Sequence, residues 1–236
     1  MSTDPSEKSL TTKISEQYGD KAWLRAIVQT VPYVGGSIDT LLTSEGQKYR
    51  ESRIADYISE IASRIEGLES KFENLILTQP EETFDLLRSQ IESVDRCRSH
   101  EKRKRFANIL LNQIDSNSNW DEPETASRIL GDLTQNHVAV LQAMCSAPKC
   151  VAPFEGIRVS VIEPLDMSEK GSIQCLTLTS AFKDIPAAQL RLIVVELLSR
   201  GLVKDEGVGR FGARAMEKFS SLDAGQWLLS WIERGV

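Results

Sequence analysis

The stretch PAAQLRLIVVELLSRGLVKDEGVGRFG, Pro186 to Gly212, decides how the second half of this chain folds. Its apolar residues recur at helical spacing from Pro186 onward, and Gly201 predicts the end of the helix, because glycine readily adopts the left-handed conformation that closes one. Two further segments, LVKDE and ARAMEKFSSL, have the composition of paired strands. The stretch therefore predicts a helix followed by a β-hairpin. The side chains that this helix is expected to bury are Leu190, Ile193, Val194, Leu197 and Leu198.

The residues GVGRFG, Gly207 to Gly212, match G-x-G-x-x-G, the fingerprint of a dinucleotide-binding turn. Such a turn requires a buried strand directly before it and a helix directly after it, inside a βαβ unit. Here a helix and a short strand precede the glycines, and a polar strand follows them. We therefore interpret the stretch as the tip of the hairpin, where glycines allow a positive φ, and expect no bound cofactor.

The segments upstream extend this pattern. Thr134 is expected to cap a helix over NHVAVLQAMCSA, and CLTLTSAF is expected to form a short helix. Between them, prolines and glycines from Pro148 to Gly171 predict a long irregular or extended region. Three helices and then a hairpin is the winged-helix plan. Residues 134–236 are therefore predicted to form a winged-helix-like domain with a small β-hairpin.

Residues 19–133 are predicted to form a helical hairpin or bundle, so that the whole chain is mainly α. Apolar residues recur every three or four positions from about Gln47 to Leu77, which predicts one long amphipathic helix of coiled-coil type. Pro80 begins the helix expected to pack against it, and Ser99 caps a further one. Residues 1–18 are polar and are expected to be disordered or loosely helical. The apolar stripe of the long helix comprises Ile54, Tyr57, Ile58, Ile61, Ile65, Leu68, Phe72 and Leu75.

The length of that stripe leads to a predicted partner interface. At ~1.5 Å per residue, residues 47–77 span roughly 45 Å, whereas residues 80–97 span roughly 27 Å. About a third of the stripe then needs another cover, since large exposed apolar patches are rare on soluble monomers. We expect self-association or complex formation through one end of the stripe and the neighbouring VPYVGG segment. The candidate interface residues are Ile54, Tyr57, Ile58, Ile61, Val34 and Ile38.

Residues 26–38, AIVQTVPYVGGSI, carry no charge. One interpretation is a short helix pair docked on the long helices. The other is a membrane-active hairpin within residues 23–42. The segment is too short to span a bilayer and lacks the Lys-rich polar face of an interfacial helix, which favours the docked pair.

Two basic groups are candidates for nucleic-acid binding. The cluster RCRSHEKRKR is either a phosphate-contacting patch or a solvated helix junction that nearby acids neutralise. In the predicted winged-helix domain, residues 134–236 carry eleven basic and eleven acidic residues, a poor electrostatic footprint for DNA. The candidate residues are Arg96, Arg98, Lys102, Arg103, Lys104, Arg105, Arg191, Arg200, Arg210 and Arg214.

The sequence offers little for catalysis or metal binding. It has two histidines and four cysteines, without the tightly spaced pairs typical of zinc sites, so no metal is expected. His137, one turn into a capped helix, is more typical of a structural histidine than of a general base. The absence of hydrolase, metalloprotease and P-loop motifs predicts that the protein is not an enzyme.

Composition and charge indicate a soluble protein of the cytoplasm. The polar beginning MSTDPSEKSLTTK does not contain the apolar segment of a secretory signal. No stretch approaches the ~18 apolar residues that a membrane-spanning helix needs. The net charge of −6 argues against a protein that coats nucleic acid with its whole surface, while allowing a local basic patch.

Four segments resemble a known group of proteins: RFANILLNQI, ILGDLTQNHVAVLQAM, LIVVELLSRGLV and GQWLLSWI. Over residues 99–236 the chain is similar to uncharacterised bacterial helical proteins with a C-terminal winged helix, some grouped as the abortive-infection alpha family. The segment V-P-Y-V-G-G-x-I-D-x-L-L resembles the N-termini of similar proteins. The resemblance implies a role in bacterial defence against phage, and it implies no catalytic residues.

Three functions are consistent with these patterns. The first is a non-enzymatic interaction or structural subunit of an anti-phage defence system, which binds protein subunits of a multi-component complex or a second copy of itself. The alternative is a winged-helix DNA-binding regulator. The second alternative is a membrane-active effector that acts through residues 23–42.

Overall fold

The described residues are mainly helical and include a small four-stranded sheet, which confirms the mainly α class predicted from the sequence. The structure, a computed structural model, describes residues 43–149, 157–164, 175–208 and 214–233, together with residues 21, 23, 24 and 27. The helices of the described residues are α1 (Thr43–Ala62), α2 (Glu69–Thr78), α3 (Pro80–Asp95), α4 (His100–Ser116), α5 (Asp121–Asp132), α6 (Gln135–Ser146), α7 (Leu178–Ala181), α8 (Ala187–Ser199) and α9 (Asp223–Ile232). The strands are β1 (Val159–Val161), β2 (Leu176–Thr177), β3 (Val203–Asp205) and β4 (Lys218–Ser221).

The described residues divide into two compact units. The first contains those up to Asp132 together with 231–233, and the second contains those from Leu133 to Ser230. The last described residues thus group with the N-terminal helices rather than with residues 134–230. Two side chains of α4 explain this grouping, because Asn108 donates to the carbonyl of Ile232 at 2.8 Å and Asn112 donates to that of Trp231 at 2.9 Å.

The core of the first unit forms where α1 and α2 pack against α3 and α4, and where α5 packs against α3 and α4. Pro80 occupies the first turn of α3, as predicted. Backbone N–H groups in the first turn of a helix form no intrahelical hydrogen bond, so the N–H that proline lacks is not needed there. Ser99 caps α4 and accepts the backbone N–H of Lys102 at 3.3 Å, also as predicted. Among the described residues, no helix has the length and apolar composition needed to cross a membrane.

The long helix predicted from Gln47 to Leu77 is wrong, because the chain forms two helices there. Residues 63–68 break the run, and Gly67 lies at a φ of +81°, a conformation that glycine adopts without steric cost. The broken helix lets the apolar stripe follow the surface of its neighbours instead of extending past them. Every residue of the stripe from Ile54 to Leu75 is buried within the chain.

The predicted partner interface loses its physical basis as a result. The prediction requires that part of the stripe lacks a cover, yet the four described side chains proposed for the interface are each at most 1 % exposed. These residues, Ile54, Tyr57, Ile58 and Ile61, belong to the core of the first unit. The two other proposed interface residues, Val34 and Ile38, lie outside the described residues, as do residues 1–18 and most of the segment 23–42.

A buried chain of hydrogen bonds fixes three helices of this unit against one another. The hydroxyl of Tyr57 on α1 donates to Gln90 Oε1 on α3 at 2.5 Å. The amide of Gln90 in turn donates to Ser127 Oγ on α5 at 3.0 Å. Burial raises the pKa of the Tyr57 phenol above its ordinary value, because ionisation in the core would leave the charge unsolvated.

The second unit is built around the sheet, whose strands lie in the order β2-β1-β4-β3. Strand β1 pairs parallel with β2 and antiparallel with β4, and β4 pairs antiparallel with β3. Helix α8 packs against α6 and β3. It ends at Ser199, and Gly201 at a φ of +68° turns the chain into β3, as the sequence predicts.

Two details of the second unit differ from the prediction. Strand β1 lies inside the region expected to be irregular or extended, and its three residues are fully buried in the middle of the sheet. The segment CLTLTSAF, expected to be a short helix, begins with β2 and becomes helical only at Leu178. Both strands are too short to produce a visible alternation of apolar and polar residues, which is the signal that identifies strands.

Candidate interaction face of helix α8

Helix α8 buries one side and exposes apolar residues on the other. Leu190, Ile193, Val194 and Leu197 are buried, which confirms four of the five inward residues predicted for this helix. The opposite side presents a row of residues spaced four, three and four positions apart, which we name the α8 outer face. Its members are Ala188, Leu192, Val195 and Ser199.

The centre of the α8 outer face is apolar. The side chain of Leu192 is 64 % exposed and that of Val195 is 41 % exposed. They lie three positions apart, so they are neighbours on the same helix surface. Single exposed apolar residues are ordinary, but an adjacent pair on a helix that is apolar all round is unusual outside an interface.

The two charged residues that flank this face already have partners within the second unit. Arg191 forms an ion pair with Glu163, which follows β1. Glu196 lies 2.8 Å from Nε2 of His137 on α6, the distance of an ion pair but not the direction of a hydrogen bond. The side chains of Arg191, Glu163 and Glu196 are each about half exposed. These contacts therefore contribute little to stability, and the three side chains stay accessible to another molecule.

His137 is a structural residue, as the sequence predicts. It is the third residue of α6, where it completes a capping box with Thr134. Its Nδ1 accepts the backbone N–H of Thr134 at 3.3 Å and lies 2.6 Å from the hydroxyl of the same residue. In the neutral ring the proton is therefore on Nε2, which faces Glu196.

The acids of the hairpin are also structural. The carboxylate of Asp205 accepts the N–H of Gly207 at 2.8 Å and that of Met216 at 2.7 Å, which closes the neck of the hairpin. Glu206 accepts the hydroxyl of Ser220 at 2.7 Å and lies 3.6 Å from the ammonium of Lys204. Both carboxylates are buried.

Gly207, the first glycine of the G-x-G-x-x-G match, lies where the two arms of the hairpin meet. A Cβ on this residue would be 2.0 Å from the carbonyl oxygen of Arg214, so only glycine fits. The contact supports a structural role for this glycine in the hairpin rather than a role in phosphate binding. The other two glycines of the match lie outside the described residues, and so does Arg210.

A cavity of about 300 Å³ adjoins the beginning of α8. Its charged lining consists of two arginines, Arg191 and Arg214, and two glutamates, Glu163 and Glu217. Equal numbers of opposite charges give it no preference for an anion such as a phosphate. Lys204 on the hairpin is likewise accompanied by an acid, Glu206.

The basic cluster Arg96 to Arg105 does not form one surface. Arg103 is buried, where it pairs with Asp56 at 2.7 Å and donates to the carbonyls of Cys97 and Arg98. Lys102 donates to the carbonyl of Gly131 at 2.7 Å, and partial burial lowers its pKa. Two of its cations therefore hold the helices of the first unit together, which favours the interpretation of the cluster as a helix junction. The cluster residues that remain exposed are Arg96, Arg98 and Lys104, while Arg105 is half-buried.

Metal-binding and thiol chemistry find no support in the described part of the chain. It contains no group of three histidine, cysteine or acidic side chains arranged to hold a metal ion. Cys97, Cys145 and Cys175 form no disulfide bond with one another. Sequence reasoning overlooked Leu192 and Val195, although the run LRLIVVELL, apolar on every side of a helix, is the signal that identifies them.

Comparisons with known proteins do not assign the chain to a family. No family model matches the sequence, and no curated protein or solved structure is significantly similar to it. Function is therefore inferred from the geometry of α8 and its surroundings.

Proposed function

We propose that this chain is a non-enzymatic interaction subunit, and that its second unit binds protein through the α8 outer face. The observation that carries the proposal is the exposed pair Leu192 and Val195, at 64 % and 41 %. An apolar pair flanked by charges is the composition of a protein-binding helix, since burying apolar surface drives association.

The second unit is best interpreted as a winged-helix module. Its elements follow the order helix α6, strand β1, helices α7 and α8, then the hairpin of β3 and β4. Within the sheet, β4 lies between β1 and β3. This order and this pairing support the assignment, in which α8 is the helix that DNA-binding members insert into the major groove.

The side chains on α8 nevertheless favour protein over DNA. A recognition helix reads bases with polar side chains and holds phosphates with a local excess of cations. In α8 the centre of the exposed side is apolar, and the acids Glu163 and Glu196 offset the charge of Arg191 beside it. A winged-helix plan hosts both kinds of function, so the residues on the helix decide between them.

Anti-phage defence is the biological setting that we propose. It is supported only by the resemblance of the four segments described above to bacterial helical proteins of the abortive-infection alpha type. The set of neighbouring genes tests it: nuclease, ATPase or toxin genes beside this one are expected, and a housekeeping operon would contradict the assignment.

The protein-binding role is tested by co-purification of the tagged full chain from its native host. We expect Leu192→Glu to lose the protein that wild type retains, because a charge at the centre of the α8 outer face prevents its burial. Leu77→Glu is the matched control, since Leu77 is 80 % exposed in the first unit and should tolerate the change.

Retention of the same protein by Leu192→Glu and wild type would refute the role of this face. The DNA-binding alternative makes a different prediction, namely an affinity for duplex DNA that falls steeply with salt as phosphate contacts are lost. Mobility-shift titration at low and moderate salt separates the two functions. Binding at micromolar protein, abolished by Arg214→Ala, would favour the alternative.

A further inference from the structure

The residues exposed on α8 have the spacing of a two-stranded coiled-coil seam. Ala188, Leu192, Val195 and Ser199 lie four, three and four positions apart, as the d and a positions of a heptad do. Leu192 then occupies an a position and Val195 a d position. The small residues Ala188 and Ser199 at the two ends let a second helix approach closely.

The charges beside this seam specify which helix fits. In the same heptad, Arg191 occupies a g position and Glu196 the following e position, five residues later. In a parallel pair of identical helices, g of one helix faces the following e of the other. Two copies of α8 aligned in parallel therefore bring Arg191 of each opposite Glu196 of the other. An antiparallel pair would bring like charges together on both flanks.

We propose that the α8 outer face binds a second copy of this chain, with the two α8 helices parallel about a twofold axis. This inference rests on the proposed function and names the partner of the same face. The intramolecular contacts of Arg191 with Glu163 and of Glu196 with His137 do not prevent it, because both flanking side chains are half exposed. Each can face a second partner without leaving the first.

The size of the seam sets the strength of the expected dimer. A helix of 13 residues is roughly 20 Å long, which is short for a coiled coil. A standard stable interface buries about 1,600 Å² in total, more than one such helix pair provides. The dimer is therefore reversible, and its fraction rises with protein concentration. A homodimer of this kind also covers the α8 surface that base reading would require.

Charge reversal tests the pairing directly, with the full chain in light-scattering chromatography over a range of concentrations. Arg191→Glu alone and Glu196→Arg alone each place like charges across the twofold axis, and each should weaken the dimer at least about tenfold. An equimolar mixture of the two variants should dimerise again, because every contact in the mixed dimer is then between opposite charges. Circular dichroism melts of each variant confirm that it is folded.

Orientation is tested by a cysteine at the seam. In a parallel pair the two copies of residue 199 face each other, so Ser199→Cys should form a disulfide-linked dimer on mild oxidation. In an antiparallel pair the two positions lie roughly 16 Å apart at ~1.5 Å per residue, beyond the reach of a disulfide. Ser180→Cys, on the exposed surface of α7, is the matched control and should not cross-link.

A wild-type chain that stays monomeric at high concentration would overturn the proposal. So would single charge variants that dimerise like wild type, or a mixture of folded variants that stays monomeric. If either charge variant fails to fold, Leu192→Lys replaces it and must give a monomer. Wild type could also be monomeric and yet retain another protein in co-purification that Leu192→Glu loses. That result would refute the homodimer while supporting the protein-binding function.

Discussion

Gly207 illustrates at the scale of one residue how the hairpin excludes a side chain. A methyl group there would overlap the carbonyl oxygen of Arg214, at 2.0 Å, and this backbone atom cannot move alone. We expect Gly207→Ala to destabilise the protein by about 1–3 kcal/mol in urea unfolding. Gly131→Ala is the matched control, because nothing lies within 4 Å of that position on α5. It should be neutral or stabilising by a few tenths of a kcal/mol to about 1 kcal/mol, as alanine favours helix. Equal effects of the two substitutions would contradict the close contact.

Because Tyr57 is buried, we predict that the free energy of unfolding decreases as the pH rises in the alkaline range. Burial raises the pKa of its phenol, whereas the same group in the unfolded chain titrates near about 10. Below that pH both states keep the proton, and the stabilisation is fully present. Above it only the unfolded chain ionises, so the free energy of unfolding should fall by about 1.4 kcal/mol per pH unit.

Urea unfolding between pH 9 and about pH 11 measures this slope. Tyr57→Phe should reduce it and should also cost about 1–2 kcal/mol at neutral pH, because Gln90 Oε1 loses its donor in the core. Tyr49, which is 62 % exposed, provides the control Tyr49→Phe, and its slope should equal that of wild type. A slope unchanged in Tyr57→Phe would show that this phenol ionises in the folded protein.

At the scale of elements, Arg103 joins the beginning of α4 to α1. Its guanidinium pairs with Asp56 and donates to two carbonyls of the turn before α4. Removing it leaves these acceptors without their donor, so Arg103→Ala should lower the free energy of unfolding by about 2–4 kcal/mol. Lys104→Ala, its exposed neighbour, should change it by less than about 0.5 kcal/mol. If Arg103→Ala instead weakened only nucleic-acid binding, the structural role assigned here would be wrong.

The elements that the sequence predicts well are those with a local cause. Pro80, Ser99 and Gly201 start or end helices through their own backbone or side-chain chemistry, and the structure confirms all three. Helical periodicity likewise identified the buried side of α8. The break at Gly67 was missed because the apolar spacing continues across it, so a pattern of period 3.6 cannot distinguish one helix from two. Strand β1 was missed because three residues stabilised by long-range pairing carry no local signal.

The candidate face was predictable only in part. Arg191 and Glu196 lie on the exposed side of α8, away from the buried side that the sequence predicts. The sequence does not reveal that Leu192 and Val195 lack a cover, because an apolar residue in a helix is ordinarily expected to be buried. Nor does it reveal that Glu163, 28 residues before Arg191, reaches that side chain. Contacts of this kind depend on how the elements pack, which spacing alone does not encode.

For the whole molecule, the charges of the second unit and its apolar helix face lead to the same conclusion. The cations that DNA binding would need have acids beside them that offset their charge, Glu163 beside Arg191 and Glu206 beside Lys204. The proposed interface residues Ile54, Tyr57, Ile58 and Ile61 lie in the core of the first unit. Among the described residues, α8 then presents the adjacent pair of exposed apolar side chains. We accordingly propose that the chain acts by binding protein, and that the α8 outer face binds a second copy of the same chain.

Sedimentation velocity of the full chain with a labelled duplex DNA, recorded at separate wavelengths for protein and DNA at low salt, tests this central claim most directly. We predict a protein boundary that moves from monomer toward dimer as concentration rises, and a DNA boundary that does not move. Leu192→Glu should return the protein to the monomer, while Leu77→Glu should behave like wild type. A monomeric protein that shifts the DNA boundary, with Leu192→Glu shifting it equally, would contradict the account.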